Sequence, residues 1–592
     1  MTDTPMPTPE NVMRRFRPTF ALTCLLIAPA ISRADDPIDS VMYREPALAA
    51  PKVVLTFPEN IRPLWLAALD RPDVETRCHA ALAIADAHTR GMPDLAPTAP
   101  ALIRELERPD NHPAVRVAAA RALVALDARD AAPAMAKLLA TADGDLREIT
   151  EPALARWTYA PAAGAWLERI ASPPKDHRGL VLTMQGLAAL REEKAVSRLR
   201  ELVLAPEERT TTRLEAARAL GAIRTKGGEA DADRLAADVT PRGTVARIAA
   251  AWTLRQHSGD EAVRRLQAYV RDAEPAVAAV AVTRLVELDP ALVEPVLTPA
   301  LGSPDANVRA RGVEVLSRRP SAAHVVLLGN ILSDPHPDVR SRARVALRER
   351  AKEPAWLAAV IKEGERVLNG GTAWRGKEQA AVLLAQLDHK PAAGRLVELL
   401  KDERPEVAIA AAWALRVLAV PETYPAALEH FDEMVKVAGS AEWHDRQTTH
   451  LAQMFGQARY APSEPALRGI IPPKTQVGYE TRAAACWALG LMKEGKTDAA
   501  LARLFAGRLA AFTFIDIEDP RVRRMSAIAL GRMKAEAGLP TIRQFIAEPR
   551  PSFDPINNAC LWAVEQITGE KVPPAGTVNA PQSGWFLQPV GP

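Results

Sequence analysis

Histidines, cysteines and tryptophans are the residues here whose types could do chemistry. The eleven histidines include no HExxH, the i, i+4 pair that would put two ligands on one helix face. His444 and His450 are six apart and fall on different faces of a helix. No G-x-S-x-G, Walker-type loop or helix-opening G-x-G-x-x-G is present, and Asn369-Gly370-Gly371 reads as a loop. We therefore expect no catalytic constellation, no metal and no cofactor. Beyond the first 34 residues the cysteines are Cys78, Cys486 and Cys560, an odd number spread far apart. They read as small buried hydrophobes and not as a disulfide framework.

The tryptophans carry more. Trp252, Trp413, Trp487 and Trp562 hold one common position in a recurring pattern, where other copies carry Arg121, Glu314 and Val345. A position open to Arg, Glu and Trp is expected to be partly exposed. Four Trp there could form a strip that binds a peptide or a glycan. Alternatively, each seals the seam between neighbouring repeats. A second cluster of aromatics, Tyr424, Trp443, Tyr460 and Tyr479, lies in 421–480, a stretch where the pattern weakens. Irregular units in repeat proteins carry binding loops, and they also arise by drift.

The pattern itself is plainest in DAEPAVAAVAVTRL, SPDANVRARGVEVL and DPHPDVRSRARVAL, whose Val277, Val308 and Val339 are spaced 31 residues apart. A fixed period of this kind means a stack of units, each unable to bury its own apolar face. The unit 321–350 reads as a first helix, SAAHVVLLGNIL, a turn, SDPHPD, and a second helix. With Val339 as position 0, Ala343, Ala346 and Leu347 at positions 4, 7 and 8 share one face, and both alanines are expected at a tight seam. The pattern recurs from Val74, Val115, Leu146, Arg178, Thr212, Ala246, Gly376, Val407, Arg446, Thr481, Val522 and Ile556. This predicts an all-α fold, an α-α superhelix of about 14–15 helical hairpins.

SPDANVRARGVEVL, DPHPDVRSRARVAL, EDPRVRRMSAIALGRM and ETRAAACWALGLM resemble the HEAT-repeat family. The closest likeness is to the short bacterial form first named from phycobilisome lyases, with its D-x-x-V-R-x-x-A-x-x-A-L signature. The resemblance spans most of 60–570. It implies a HEAT-repeat solenoid with a concave binding surface lined by the second helices, and it is almost silent on function. One HEAT-repeat enzyme, deoxyhypusine hydroxylase, binds di-iron through repeated His-Glu pairs. This chain has no His-Glu dipeptide. Asp305 with Arg309, and Asp338 with Arg340, are expected to pair with each other or with backbone between neighbouring units, with ligand contact as the alternative.

Composition agrees with this. Hydrophobic content is 48% with 5% aromatic, so the apolar mass is Ala, Leu and Val. The 50 prolines make sense in turns and first helical positions. Net charge is +3, of which Arg14, Arg15, Arg17 and Arg33 against Asp3 and Glu10 supply +2. The remainder is near neutral, so no nucleic-acid partner is expected.

Residues 1–34 read as a signal peptide, with basic residues, the apolar run Phe20 to Ile31 and small residues before Asp35. Translation could start at Met1 or Met13. Residues 35–59 read as an N-terminal linker or cap, 60–420 and 481–572 as repeats, and 421–480 as irregular repeats or an insertion. The Pro/Gly-rich tail 573–592 is expected to be disordered or to lie along the last helices through Trp585 and Phe586. The functional expectation is a non-enzymatic, exported (periplasmic or extracellular) scaffold that binds another macromolecule, a protein, on its concave surface. It has no transmembrane segment once the leader is removed. The alternatives are a regulatory subunit of a separate enzyme, and a glycan or cell-wall binder using the Trp strip.

Overall fold

The computed structural model describes residues 38–48, 52–141, 143–172, 177–240, 243–370, 373–437, 442–472, 477–513, 516–546, 554–571 and 577–587. Residues 1–34 lie outside them. Contacts divide the chain into a unit 1–40 and a unit 41–592. Only 38–40 of the first are described, and the second holds the repeats.

Thirty α-helices and two short two-stranded sheets make up its regular structure among the described residues. The helices pair into hairpins, and each second helix packs on the second helices before and after it. Glu442–Gln457, Tyr479–Met492, Pro520–Arg532 and Pro555–Thr568 form one such run. No helix among the described residues is long and apolar enough to cross a membrane.

The prolines sit where a missing N–H costs nothing. Pro113, Pro275, Pro337, Pro405, Pro520 and Pro555 each open a second helix. Asp305 caps its helix by accepting from the N–H groups of Asn307 (2.7 Å) and Val308 (3.1 Å). Many second helices end on a left-handed residue that is not glycine, among them Asp127, Thr158, Arg191, Asp388, Arg459 and Lys534. The next N–H then bonds five residues back, as from Ala128 to Leu123 and from Tyr460 to Phe455. A 3₁₀ turn follows and starts the next first helix.

Neighbouring repeats are tied by a ladder of cations at position 1. Arg309 donates to the carbonyls of Ser303 and Pro304 in its own turn and pairs with Asp334 of the next repeat at 2.8 Å. Arg247 pairs with Asp272, Lys377 with Asp402 and Arg482 with Glu518. The turn charges are thus inter-repeat structure. Arg340 lies 3.7 Å from Glu378, while Asp338 pairs within its own helix with Arg342.

Registers hold in most copies. Ala343 and Leu347 are fully buried, but Ala346 is half-buried. Three copies slip: the buried position is Gly179 instead of Arg178, Gln447 instead of Arg446, and Thr76 instead of Val74 fits the buried Ala80, Ala83 and Ile84. Cys78 is consequently half-buried, while Cys486 and Cys560 are fully buried; all three are free thiols.

The stretch 421–480 is not an insertion. Tyr424–Val437 and Glu442–Gln457 occupy ordinary repeat positions. The apolar signal fades because the buried face of the second helix carries Gln447, Thr448, Thr449, His450 and Gln453.

The C-terminal tail lies along the first helices and not the last. Strand Thr577–Pro581 pairs in parallel with strand Lys52–Thr56, so the crossover between the two strands is the entire solenoid. Buried Trp585 sits between Phe57 (6.0 Å), Trp65 (5.9 Å) and the Arg90 guanidinium (4.6 Å). Trp65 Nε1 donates to the Phe586 carbonyl at 2.7 Å. This covers the outer edge of the first repeat, as a terminal cap must.

Second helices approach most closely where position 9 is glycine. A Cβ on Gly490 would lie 2.8 Å from Ala529 Cα, and one on Gly531 2.9 Å from Ala563 Cα. Gly507, inside the first helix Ala499–Ala510, has nothing within 4 Å. Gly490→Ala should therefore destabilise by about 1–3 kcal/mol through overpacking. Gly507→Ala should stabilise by up to about 1 kcal/mol through helix propensity. Thermal melts of the two variants should move in opposite directions.

Candidate functional site

The second-helix face is not uniform along the array. At position 6, Arg121, Pro152, Gln185 and Arg218 are exposed in the first half. The equivalent residues Val382, Trp413, Gln453, Trp487 and Ile528 are buried in the second. In the exposed half, Arg121, Glu148, Pro152 and Arg156 line a shallow cavity of about 380 Å³. Pro152 lies inside its helix, so it offers no N–H to the Glu148 carbonyl.

In the buried half, a short turn of the chain's own N-terminal region, Val41 to Glu45, lies across three second helices. It opens as the 3₁₀ segment Val41–Tyr43, and the Val41 carbonyl accepts from the N–H groups of Arg44 (2.9 Å) and Glu45 (3.1 Å). Its contacts are with residues more than 400 positions away. The Val41 N–H donates to Gln453 Oε1 on Glu442–Gln457 at 3.1 Å. Met42 is completely buried. The Tyr43 hydroxyl donates to Glu480 Oε2 on Tyr479–Met492 at 2.7 Å. The Glu45 carbonyl accepts from Trp487 Nε1 at 2.5 Å and from Arg532 Nη2 on Pro520–Arg532 at 3.1 Å. These are side-chain groups reading polypeptide backbone, and they form the best-defined candidate site.

The helices dictate this arrangement. Position 6 follows the buried positions 3 and 4 by less than a turn, so its side chain leaves the seam toward the open face. Gly456 lets Glu442–Gln457 and Tyr479–Met492 close up until its Cβ would be 2.6 Å from Ala488 Cα. The Trp487 ring then forms the floor, with Arg532 stacked over it at 5.2 Å. Burial pulls the Arg532 guanidinium down to about 10, which leaves it charged at neutral pH. Burial and the neighbouring Glu480 push the Tyr43 hydroxyl well above its ordinary value, so it stays a donor.

The expected site residues divide accordingly. Trp487 is in the site, but as a covered floor and not an exposed strip. Trp413 is also buried (4% exposed). Two helix spacings of about 8–10 Å separate it from Trp487. Trp252 and Trp562 are half-buried, and Trp252 is stacked under Arg218 at 4.8 Å. The four therefore form no continuous exposed strip, because neighbouring repeats and residues 41–45 cover the rings in the second half. In the other cluster, Tyr424 and Tyr460 pack against each other at 5.4 Å, and Trp443 stacks on its neighbour His444. Exposed Tyr479 lies beside the site with Arg521 over its ring at 4.2 Å. Sequence reasoning missed Gln453, Glu480, Arg524 and Arg532; the last three lie inside segments that carry the repeat signature, at positions the signature does not specify. A usable signal was the polar residues at seam positions of 442–457.

The profile of HEAT repeats matches residues 62–155 and 262–348. These repeats are HEAT repeats. The same hairpin pattern runs on through the unmatched stretches, so the unit is an all-α HEAT-repeat solenoid. Among solved structures, one in which Kap95p binds RanGDP superposes with a TM-score of 0.50 at 14% identity, over 86% of this chain and 72% of that one. Kap121p bound to Pho4p gives 0.49 at 12% identity, over 86% and 57%. Yeast importin-beta (Kap95p) gives 0.46 at 14%, over 86% and 72%. At such identities the likeness is one of fold alone. No curated protein sequence matches the chain.

If Trp413 and Trp487 are packed within the HEAT array, replacing either by Ala should cost about 3–5 kcal/mol of local stability. Trp252→Ala removes a half-buried ring and an exposed cation–π contact, and should cost distinctly less. Melts without any ligand check this, and equal small shifts for all three would contradict it.

Proposed function

We propose that this HEAT-repeat protein is a non-enzymatic, exported scaffold that binds a protein partner along its second-helix face. One observation carries the reading: that face already holds a short turn of polypeptide, Val41 to Glu45, through Gln453, Trp487 and Arg532. Donors and acceptors that satisfy one peptide backbone can satisfy another, since every residue presents the same N–H and C=O. The exposed position-6 row from Arg121 to Arg218 extends the face into the first half of the array. A stack of HEAT repeats is suited to displaying a long surface of this kind. Export rests on the leader-like residues 1–34.

A photocrosslinking residue placed at Arg218, on the second-helix face, should capture partner peptides in the native host. One at Arg198, on the first helix Val196–Leu204, should not. Equal capture at both positions, or none at either, would count against the reading. N-terminal sequencing of the native protein should give Asp35; an intact Met1 or Met13 would refute export through this leader.

A further inference from the structure

The groove across Glu442–Gln457, Tyr479–Met492 and Pro520–Arg532 has a mismatch in its present filling. Arg524 lies 5.7 Å from the Tyr43 ring. Its buried Nε has no hydrogen-bond partner, and the guanidinium makes no ion pair among the described residues. Burial pulls it down from its ordinary value. Arg532, buried at 9% exposure, donates only to the carbonyls of Glu45 and Trp487 and faces no carboxylate within ion-pair distance. The two cations are eight residues apart on one helix, so about 12 Å apart on one side of it. The carboxylates that act on Arg532 are Glu494, which pairs with Arg459, and Glu45, neither within ion-pair distance, and Glu480 is already engaged by Arg521 (2.7 Å) and by the Tyr43 hydroxyl. Elsewhere the inter-repeat cations of this protein have carboxylates or several turn carbonyls, as at Arg247, Arg309 and Arg482. Partly desolvated positive charge without a counter-charge favours an anionic ligand.

We propose that this groove is a recognition site for a short acidic turn of a partner polypeptide, and that Val41–Glu45 is a resident stand-in which the partner displaces. This rests on the reading of the second-helix face as a protein-binding surface and names what one part of it takes. The stand-in supplies the shape: a buried apolar residue at Met42, an aromatic hydroxyl for Glu480, and a carbonyl for Trp487 and Arg532. What it does not supply is a carboxylate within ion-pair distance of Arg524 or Arg532, although the Glu45 charge acts on Arg532 from farther off. Arg44 and Glu45 cancel, and the Glu45 contact with Arg532 is made by the backbone carbonyl. A segment with the same shape and an acid beside the aromatic residue satisfies the backbone-reading groups and adds a partner for Arg524 or Arg532. The intramolecular segment still competes well, because its tether gives it a high effective concentration.

The test uses the full chain and two dye-labelled, N-acetylated hexapeptides read by fluorescence anisotropy. One is VMYREP, the sequence of residues 41–46; the other is VMYEEP. Tyr43→Ala in the protein weakens the resident segment without touching the groove. The expected result is that the Tyr43→Ala chain binds VMYEEP at least tenfold more tightly than the unaltered chain does. It should also prefer VMYEEP to VMYREP severalfold, and that preference should vanish when Arg524→Gln is added. Arg532→Gln in the same background should weaken both peptides. Equal binding by the unaltered and Tyr43→Ala chains, or no binding to either, would overturn the proposal. So would a preference that survives Arg524→Gln. If the unaltered chain elutes as a dimer and Tyr43→Ala as a monomer, the groove belongs to a second copy's segment, and the partner proposal falls. Crosslinks at Arg218 on the second-helix face with failed peptide binding would leave the protein-binding reading standing and remove only this site.

Discussion

Neighbouring second helices approach until alanine or glycine is all that fits between them, and the rest of the structure depends on that spacing. Gly456 meets Ala488, Gly490 meets Ala529 and Gly531 meets Ala563, each with no room for another methyl group. Close approach explains a composition rich in alanine and poor in aromatics. It also pushes large side chains off the seam and onto the open face at position 6. Trp487 is there because it cannot be between the helices. The cation ladder at position 1 then fixes how far one repeat can rotate on the next, since Arg309 and its counterparts must satisfy their own turn and the following one together.

A stack of this kind has two raw ends, and this chain covers its first end by folding its termini across. Residues 52–56 pair with 577–581, and Trp585 fills the gap between Trp65 and Arg90. A few residues earlier, Val41 to Glu45 reach the helices of 442–532. One short segment is thus held by the last third of the array at one end and by the C-terminal tail at the other. A two-stranded ribbon is marginal by itself, so its persistence depends on the aromatic packing beneath it. In the same way, the groove contacts depend on the segment being tethered nearby.

Much of the fold was legible from the sequence because its logic is local. The 31-residue spacing of Val277, Val308 and Val339 and the Asp and Pro signals at the turns reflect contacts between adjacent repeats. Registers slipped by one or two residues at Gly179, Gln447 and Thr76, because the pattern was read from apolar residues and these are small or polar. The site was legible only in part. Trp487 stood out as an aromatic on the open face. Nothing in the sequence tied it to Glu45, because that contact spans more than 400 residues and carries no periodic signal. The tail was misplaced for the same reason: aromatic residues announce that they will be buried, not against what.

The groove on the second-helix face is occupied by a short turn of the chain's own polypeptide, Val41 to Glu45. Amide hydrogen exchange of the peptides covering residues 41–56 tests it most directly. Val41–Tyr43 form a single 3₁₀ turn and Lys52–Thr56 one strand of a two-stranded ribbon, and left alone such pieces would exchange at close to the rate of an unstructured chain. Protection on the order of a hundredfold is expected for the Val41 amide and the paired strand residues in the intact protein. Complete exchange of 41–56 at the earliest time point, with the helices of 442–532 still protected, would contradict it.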